Sequence, residues 1–505
     1  MIPRPERPRV RTELGREQTP PAGPEQFERL GAGQAALFLG LGPDPAAARD
    51  LAGAGRTVYC MEHPDFKSQM PPSWAEAVPR TWSWLAPGDL PDTLPALCEV
   101  FLYRPGMRLF PSFWGPLFAR CRAHFLRPAP PAPRSALLPG DERGLLVREL
   151  AAALAGAGWA VRTLPPDQTA ARLPDLLRRT PPELFLSINF AGLDPCGETF
   201  HLLRAAGTTV AAWLVDNPFH VLSGLRAPYW KDMPLAATDA SFLPALHGHG
   251  AGKLLHLPLA AWPGHFGPAA ARPAPAAEGL DDRLVFVGRS AFPDRDKFFA
   301  GCAPPPELEE QARAMLRAGQ RPGFHWWARE LGIPSFWPGN EVRRAGCGAD
   351  RAGLAWRAAC LEAAAGMPFT AFGDEGWRGL LPPGADLRGP LDYYGPLAAV
   401  YARAGAVLNV NGLLLPAGLT QRHFDVWAAG GFLLTDAFPG LDIFPGELVR
   451  EISFRTPAEL PALARRALSN AAWRQDVAAA WRGLVEREHT YARRTAALLG
   501  WLDLA

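Results

Sequence analysis

Short apolar runs that are typical of buried strands alternate with helical segments over most of this chain. The clearest runs are residues 184–189, 209–216, 406–411 and 432–436, and each of them ends in Asn or Asp. Strands that are apolar on both faces and alternate with helices form parallel sheets that are covered by helices on both sides. The pattern therefore predicts an α/β protein built on doubly wound parallel sheets.

Length and charge narrow the range of functions. The chain has 505 residues, and 48% of them are hydrophobic. At about 150 residues per domain, this length predicts three domains. The 52 basic and 50 acidic residues give a net charge of +2. That balance provides no electrostatic drive toward nucleic acid, so no nucleic-acid partner is expected.

Cysteine usage and hydropathy indicate a compartment. The seven cysteines are scattered and form no CxxC pair, which favours a reducing compartment over a disulfide framework or a zinc site. The sequence contains no stretch of 18 charge-free apolar residues, so a transmembrane segment is not predicted. We expect a cytoplasmic protein, and peripheral association with a membrane is compatible with this expectation.

Two proline-rich segments, residues 127–134 and 263–278, divide the chain. Consecutive prolines favour extended backbone, as in semi-rigid linkers. The expected parts are a disordered leader (1–26), an N-terminal α/β accessory domain (27–134), a second α/β domain (135–278) and a third one (279–505) with a helical insertion at about 306–365.

Polar residues that directly follow strands are the first candidates for a ligand site, because ligands bind outside the carboxyl ends of parallel strands. Asn409 and Asn411 end one such strand, and a polar segment, 418–431, follows. Thr420 is predicted to cap the next helix, whose free N–H groups and partial positive charge suit a diphosphate. Arg422 in the first turn would oppose the helix dipole unless an anion is bound there.

The same helix carries an acid and ends in two glycines. Asp425 lies one turn into the helix, where its carboxylate could accept hydrogen bonds from two ribose hydroxyls, each contributing roughly 1.5–3 kcal/mol. Gly430 and Gly431 end the helix and permit close approach of a ligand to the backbone. The residues alone leave a second interpretation open, in which Arg422 and Asp425 form a solvated helix face and the glycines are only a cap.

Several short motifs follow one another in the last hundred residues. They are Leu408-Asn409, Arg422-His423-Phe424-Asp425, Ala428-Ala429-Gly430-Gly431, Thr435-Asp436 and Glu488-His489-Thr490-Tyr491-Ala492-Arg493. In this order they resemble the C-terminal domain of the spore-maturation (CgeB-like) bacterial glycosyltransferases. The segment from Trp213 to Pro218 is similar to the N-terminal half of bacterial members of that group. The resemblance extends over about residues 135–500.

The resemblance implies a GT-B fold, a pair of doubly wound Rossmann-like domains, here with an additional N-terminal α/β domain. It implies transfer of a sugar from a nucleotide-sugar donor, such as a UDP- or GDP-sugar, to a glycan, lipid-linked or protein acceptor, as in the synthesis of bacterial cell-surface glycans. Neither a metal site nor a tightly bound cofactor is expected. The pair His247 and His249 could hint at a metal, but no third ligand accompanies it, so a loop tip is expected there.

The resemblance also assigns roles to single residues. Asp425 takes the place of a ribose-binding Glu, and Ala417 stands where the wider superfamily has the first Glu of a Glu-x7-Glu motif, which leaves the stereochemistry open. Arg422 and the backbone near Thr420 would meet the diphosphate. The complete expected donor site is Gly288, Arg289, Gly373, Asn409, Asn411, Thr420, Gln421, Arg422, Asp425, Gly430 and Gly431.

An inverting transfer needs a carboxylate or a His close to the acceptor hydroxyl. Asp216 ends a strand beside the expected cleft, and His220 follows it, so these two are the candidate catalytic residues. Asp239 is a weaker candidate. An Asx turn at the strand end is the alternative interpretation of Asp216.

Two other functions remain open. Residues 38–42, followed by a helix and a strand that ends at Glu62, faintly match a nucleotide-binding βαβ unit, which would suit a methyltransferase-type enzyme that uses the N-terminal domain. The second alternative is a non-catalytic protein on a GT-B fold that binds a nucleotide-sugar or a glycan. Ala417 and the presence of Asp425 instead of Glu favour it.

Overall fold

The computed structural model describes residues 8–90, 94–141, 144–268 and 273–505. Residues 1–7 of the expected leader and residues 269–272 of the second proline-rich segment lie outside this range. The chain divides into a first unit of Met1–Gly140, Ala160–Ala212 and Gly224–Met233, and a second unit of Asp141–Trp159, Trp213–Ser223 and Pro234–Ala505. In the described ranges, no helix combines the length and the apolar character that a membrane crossing requires.

The N-terminal part of the first unit contains β1 (Val10–Arg11), β2 (Glu17–Gln18), β3 (Phe27–Leu30), β4 (Ala35–Leu39), β5 (Val58–Met61), β6 (Ser83–Trp84) and β7 (Cys98–Tyr103). Its helices are α1 (Pro45–Ala52), α2 (Pro64–Ser68), α3 (Pro72–Ala77), α4 (Leu94–Leu97), α5 (Gly106–Leu109) and α6 (Pro111–Leu126). Five strands form a sheet of order β3-β7-β4-β5-β6. Its pairs are parallel except for β3 with β7.

Part of the expected disordered leader is folded. β1 and β2 form an antiparallel ladder, the Val10 side chain has no exposed surface, and the Arg11 N–H donates to the Gln69 side chain over 2.7 Å. The prediction of disorder is therefore wrong for residues 8–26. A single valine among prolines and arginines carries no periodic signal, so its burial in the N-terminal core could not be foreseen.

The next strands are β8 (Ala132–Pro139), β9 (Ala160–Leu164), β10 (Pro182–Ile188), β11 (Thr209–Leu214), β12 (Leu235–Ala237) and β13 (Leu254–His256). The helices are α7 (Val147–Gly156), α8 (Pro166–Arg179), α9 (Glu198–Ala205), α10 (Pro218–Leu222), α11 (Leu243–Gly248) and α12 (Pro263–Phe266). The strands of the first unit have the sheet order β11-β10-β8-β9. The last two residues of β11, Trp213 and Leu214, belong to the second unit, where the sheet order is β13-β12-β11. The pairs β8–β9, β8–β10 and β12–β13 are parallel.

The last sheet lies wholly in the second unit and consists of β14 (Leu284–Val287), β15 (Phe369–Phe372), β16 (Asp386–Arg388), β17 (Ala406–Asn409), β18 (Leu433–Asp436) and β19 (Ser453–Phe454). The helices are α13 (Arg295–Phe298), α14 (Pro306–Arg317), α15 (Phe324–Glu330), α16 (Val342–Ala363), α17 (Leu397–Arg403), α18 (Arg422–Ala428), α19 (Gly446–Ile452), α20 (Leu460–Ser469), α21 (Ala471–Glu488) and α22 (Tyr491–Trp501). The segment expected to be a helical insertion holds α14, α15 and α16.

This last sheet has the order β16-β15-β14-β17-β18-β19, and all of its pairs are parallel. Counted along the chain the order is 3-2-1-4-5-6, so the direction of winding reverses between β14 and β17. A crevice opens at the carboxyl ends of the strands at such a point, and ligands bind there. The predicted α/β class is confirmed: two doubly wound sheets follow an additional N-terminal α/β sheet.

Gly373, which follows β15, is required by packing at this edge of the sheet. A Cβ atom at this position would lie 2.4 Å from the carbonyl oxygen of Gly288 and 2.6 Å from the Trp377 ring. The Trp377 ring is fully buried, and its Nε1 donates to the same carbonyl over 2.9 Å. The contact between the two strand ends therefore accounts for this glycine without a ligand.

We expect Gly373→Ala to lower the free energy of unfolding by about 1–3 kcal/mol, because the added methyl group overpacks this contact. Urea unfolding measures the change. Gly379→Ala is the control, since a Cβ atom there would meet no atom within 4 Å. Equal losses in the two variants would contradict the packing role of Gly373.

Candidate functional site

A cavity of about 600 Å³ lies at the carboxyl ends of β14 and β17, inside the second unit. This is the point at which the winding of the last sheet reverses. Its wall is formed by the segment after β14, the loop after β17, helices α16 and α17, and the residues that precede α17. The lining residues are Leu145, Asp216, Val287, Gly288, Arg289, Ala291, Phe292, Pro293, Asp350, Arg357, Leu391, Tyr393, Leu397, Tyr401, Leu414, Thr420, Gln421 and Arg422.

Three arginines, Arg289, Arg357 and Arg422, line one side of the cavity. Arg357 Nη1 donates to the carbonyl oxygen of Arg289 over 3.1 Å, and its guanidinium group lies 5.4 Å from the centre of the Trp377 ring. Burial lowers the pKa of Arg357, and the nearby charge of Arg422 lowers it further, while Asp350 opposes both effects. Three arginines in the lining of one cavity suit an anion with several oxygens, such as a diphosphate.

Arg422 is held in place by two neutral acceptors. Its Nε donates to Asn409 Oδ1 over 2.6 Å, and its Nη1 donates to the carbonyl oxygen of Val287, also over 2.6 Å. Within the described ranges no hydrogen bond is made by Nη2 of Arg422. Both anchors stand at the ends of the strands between which the winding reverses. Arg422 thus keeps its charge and part of its donor capacity for a ligand in the cavity.

A buried polar network fixes Asn409. Asn409 Oδ1 accepts from Thr420 Oγ1 (3.3 Å), and Asn409 Nδ2 donates to Thr435 Oγ1 (3.3 Å). The Thr420 N–H donates to His423 Nδ1 over 3.0 Å, and burial lowers the pKa of His423 to about 3. His423 is therefore neutral, and its Nε2 lies 3.2 Å from both Thr435 Oγ1 and Asn409 Nδ2.

The predicted capping role of Thr420 is wrong. The residue that precedes the first turn of α18 is Gln421, and its side chain makes no capping bond. The Thr420 hydroxyl instead donates to Asn409, because the buried amide oxygen lies within reach. His423 and Thr435 were not among the predicted site residues. Their sequence signal was their place in the motifs Arg422-His423-Phe424-Asp425 and Thr435-Asp436.

Several predicted donor-site residues do not line the cavity. Asn411 is buried, and its N–H donates to Asp436 Oδ1 over 2.8 Å. Gly373 packs at the sheet edge as described above. Gly430 and Gly431, at the far end of α18, line a separate cavity together with Arg403 and Arg474. Gly288, Arg289, Thr420, Gln421 and Arg422 are the predicted residues that the structure brings together.

Asp425 also does not line the cavity. Only 1% of its surface is exposed, and its Oδ2 accepts a hydrogen bond from the Tyr393 hydroxyl over 2.7 Å. Burial raises the pKa of Asp425 well above its usual value, and the bond from Tyr393 opposes this shift. Tyr393, which the sequence analysis did not single out, forms the wall at this place.

The two catalytic candidates have different surroundings. Asp216 is exposed and lines the cavity. The side chain of Asn217 holds it there: Oδ1 accepts from the backbone of Phe219 and His220, and Nδ2 donates to the carbonyl oxygen of Leu414 over 3.0 Å. This arrangement leaves the Asp216 carboxylate at the cavity edge.

His220 does not line the cavity. Its ring packs against Phe298, Phe299 and Phe324, with centroid distances of 5.2, 5.7 and 5.8 Å. Burial lowers its pKa to about 3. The weaker candidate Asp239 accepts from the backbone of Ser241 (2.8 Å) and Ala417 (2.9 Å), so it ties two loops together.

The N-terminal βαβ unit uses its acid internally. Glu62 Oε2 accepts from the Leu41 N–H over 2.8 Å, and Oε1 accepts from the His63 N–H over 2.9 Å. Cβ atoms on Gly40 and Gly42 would lie 2.8 and 2.7 Å from the Tyr103 side chain. The carboxylate and the glycine loop that would hold a nucleotide thus contact the chain itself, which speaks against the methyltransferase alternative.

The described residues contain no group of three or more His, Cys, Asp or Glu side chains that could hold a metal ion. His249 Nδ1 lies 2.8 Å from the carbonyl oxygen of Ala245, and its Nε2 accepts from the Phe336 N–H over 3.1 Å. This histidine therefore has a structural role at the end of α11.

Residues 352–500 match the model of a family described as glycosyl transferase-like. The matched segment includes Arg357, Arg422 and Asp425. A search of curated proteins gives no match.

Three solved structures illustrate what this chain is similar to. A glycosyltransferase from Rickettsia africae ESF-5 is 10% identical, with a TM-score of 0.44, over 74% of this chain and 98% of that chain. Anabaena HepE in complex with UDP and glucose is 9% identical, with a TM-score of 0.43, over 74% and 100%. A UDP-forming α,α-trehalose-phosphate synthase from Burkholderia xenovorans is 13% identical, with a TM-score of 0.41, over 74% and 99%. Similarity at this level does not identify a substrate.

The buried acids make stability depend on pH. Burial raises the pKa of Asp425 and of Glu149, which is also fully buried, above the usual values of about 3.9 and 4.3. The folded state thus holds protons that the unfolded state releases, so the free energy of unfolding falls as the pH rises from about 4 through the folded-state pKa values.

We expect Glu149→Gln, which stays neutral, to gain stability relative to the wild type as the pH rises. Each titrating carboxyl contributes a slope of up to about 1.4 kcal/mol per pH unit. Urea unfolding between pH 4 and pH 9 measures the difference. The exposed Glu76→Gln is the control, and parallel curves for wild type and Glu149→Gln would refute the expectation.

Proposed function

We propose that this protein is a metal-independent glycosyltransferase of the GT-B kind that binds a nucleotide-sugar in the cavity beside β14 and β17. The observation that carries the proposal is that Arg289, Arg357 and Arg422 line one cavity at the point where the winding of the sheet reverses. Two of the three arginines lie in the segment that matches the glycosyl transferase-like family model.

The residues that line the cavity suit a ligand that carries both a diphosphate and a less polar group. Each charge-assisted hydrogen bond from an arginine contributes roughly 1.5–3 kcal/mol. Three guanidinium groups can therefore neutralise a leaving diphosphate without a metal ion. The rest of the wall is largely apolar and includes Leu391, Tyr393 and Leu397, against which a nucleoside can pack. UDP- and GDP-sugars are the donor classes that we propose.

Asp216 is the proposed catalytic base. An exposed carboxylate at the cavity edge can accept the proton of an acceptor hydroxyl while that oxygen attacks the anomeric carbon of the donor. The bond from that carbon to the diphosphate breaks at the same time, and the arginines stabilise the charge that remains on the nucleoside diphosphate. His220 is not assigned this role, because its ring lies between phenyl groups.

The order of motifs resembles that of the CgeB-like enzymes, so we propose that the protein belongs with that group and acts in the cytoplasm. A glycan, lipid-linked or protein molecule of the bacterial cell surface is the proposed acceptor. A second candidate function is non-catalytic binding of a nucleotide-sugar. It is favoured by two residues: Ala417 carries no carboxyl group, and Asp425 lies behind the cavity wall. Sugar transfer or hydrolysis by the purified protein separates the two candidates.

We expect Arg357→Ala and Arg422→Ala to weaken binding of UDP or GDP at least tenfold each. Each variant loses a charge-assisted hydrogen bond that contributes roughly 1.5–3 kcal/mol, and a tenfold loss of affinity corresponds to about 1.4 kcal/mol. Calorimetric titration in the presence of EDTA measures the affinity and tests metal independence in the same experiment. Arg422→Lys keeps the charge without the planar fork and should bind with intermediate affinity.

Arg378→Ala is the matched control for these titrations, since this exposed arginine pairs with Glu375 outside the cavity. If the wild type binds neither nucleotide, or if the cavity variants bind as the control does, the proposed donor site is wrong. Thermal unfolding of each variant confirms that the titrated protein is folded.

We expect Asp216→Asn to lower the rate of sugar transfer or hydrolysis by about 10²–10⁴-fold, the usual contribution of a general base. Its nucleotide affinity should stay within twofold of the wild type, because the change removes charge at the cavity edge and not at the arginines. Unchanged turnover in this variant would exclude Asp216 as the base.

A further inference from the structure

Two neighbouring tyrosines, Tyr393 and Tyr394, are each bonded to a buried acid. The Tyr393 hydroxyl donates to Asp425 Oδ2 over 2.7 Å, and the Tyr394 hydroxyl donates to Glu149 Oε2, also over 2.7 Å. Asp425 and Glu149 are 1% and 0% exposed. The acids stand on α18 and α7, so two helices hold one short tyrosine segment. Of the four residues, only Tyr393 lines the cavity.

The second oxygen of each acid has no hydrogen-bond partner among the described residues. Glu149 Oε1, Asp425 Oδ1 and the nearby hydroxyl of Tyr491 are all buried and unpaired. An ionised carboxylate with a buried, unpaired oxygen is strongly destabilised, and a second acid nearby adds repulsion. Burial raises the pKa of both acids, and the charge of Glu149 raises that of Asp425 further. These effects shift both acids toward the neutral form.

The groups around the two acids come from five elements. Arg422 on α18 and Glu149 on α7 act on Asp425 through their charges. The other titratable groups nearby are Arg148 on α7, which lies above the Tyr394 ring, Tyr401 on α17, Tyr491 on α22, and His265 on α12, whose ring lies beside that of Tyr394.

We propose that Asp425 and Glu149 are positioning residues that hold the hydroxyl groups of Tyr393 and Tyr394. Tyr393 then presents a fixed wall to the ligand in the cavity, and neither acid touches that ligand. The nature of the ligand rests on the proposed function, whereas the packing of the four side chains does not. The proposal gives Asp425 a role different from the ribose contact that the resemblance implies.

Asparagine and alanine at position 425 should therefore have different effects on Tyr393. The amide oxygen of an asparagine can accept a hydrogen bond from the Tyr393 hydroxyl, as a neutral aspartic acid does. An alanine cannot, and it leaves the hydroxyl of Tyr393 unpaired. If the Asp425 carboxylate bound ribose hydroxyls directly, asparagine and alanine would both weaken the affinity for the ligand, because each substitution removes the charge.

The test is the affinity of the full chain for UDP in wild type, Asp425→Asn, Asp425→Ala and Tyr393→Phe, titrated between pH 6 and pH 9. We expect Asp425→Asn to bind within twofold of the wild type. Asp425→Ala and Tyr393→Phe should each weaken binding about three- to tenfold, and the double variant Tyr393→Phe/Asp425→Ala should be no weaker than either single one.

The pH profile gives a readout that loss of stability alone would not produce. Wild-type affinity should fall toward pH 9, as ionisation of the acids disturbs the tyrosines, while Asp425→Asn/Glu149→Gln should bind equally well throughout. The exposed Asp442→Asn is the control and should follow the wild type. A loss in Asp425→Asn as large as that in Asp425→Ala, with Tyr393→Phe unchanged, would overturn the proposal in favour of direct ligand contact.

Failure of the proposed function gives a different result. If wild-type protein binds neither UDP nor GDP, the donor site is wrong, and urea unfolding of the same variants then decides the positioning role. Stability at pH 8 should be kept in Asp425→Asn and lost in Asp425→Ala. Equal loss in both would overturn the inference that a neutral acid supports Tyr393.

Discussion

The site depends on how one arginine is held. Asn409 Oδ1 and the carbonyl oxygen of Val287 fix the guanidinium group of Arg422, and both acceptors are uncharged. In the described part of the chain no carboxylate forms a salt bridge with Arg422. A half-buried cation that is hydrogen-bonded only to neutral groups remains available to attract an anion. The two acceptors stand at the ends of β17 and β14, so the topology of the sheet determines where that positive charge lies.

A second buried interaction anchors α16, a helix of the insertion, at the carboxyl end of β18. The Asp436 carboxylate at the end of β18 pairs with Arg321, and its Oδ2 accepts from Trp356 Nε1 over 2.8 Å. Trp356 precedes Arg357 on α16, so the tie that anchors this helix to the sheet also sets the position of the third cavity arginine. Removal of one partner from a buried pair is costly, typically about 3–5 kcal/mol. Stability and site geometry are therefore linked through adjacent residues of one helix.

Sequence reasoning located the sheets and the loop after β17 because both leave local signals: alternation of strands and helices, and polar residues at strand ends. It placed Arg422, Thr420 and Gln421 at the cavity. It failed where the answer depends on distant chain segments. Asp425 was assigned to the ligand because nothing local shows that Tyr393 covers it, and Arg357 was missed because an arginine in a long helix is usually solvated.

The N-terminal sheet also illustrates how a nucleotide-binding shape can exist without a ligand. Tyr103 packs against the two glycines after β4, and Glu62 accepts the backbone N–H groups of the same loop. The acid and the glycine loop of this unit therefore serve the internal packing of the N-terminal sheet.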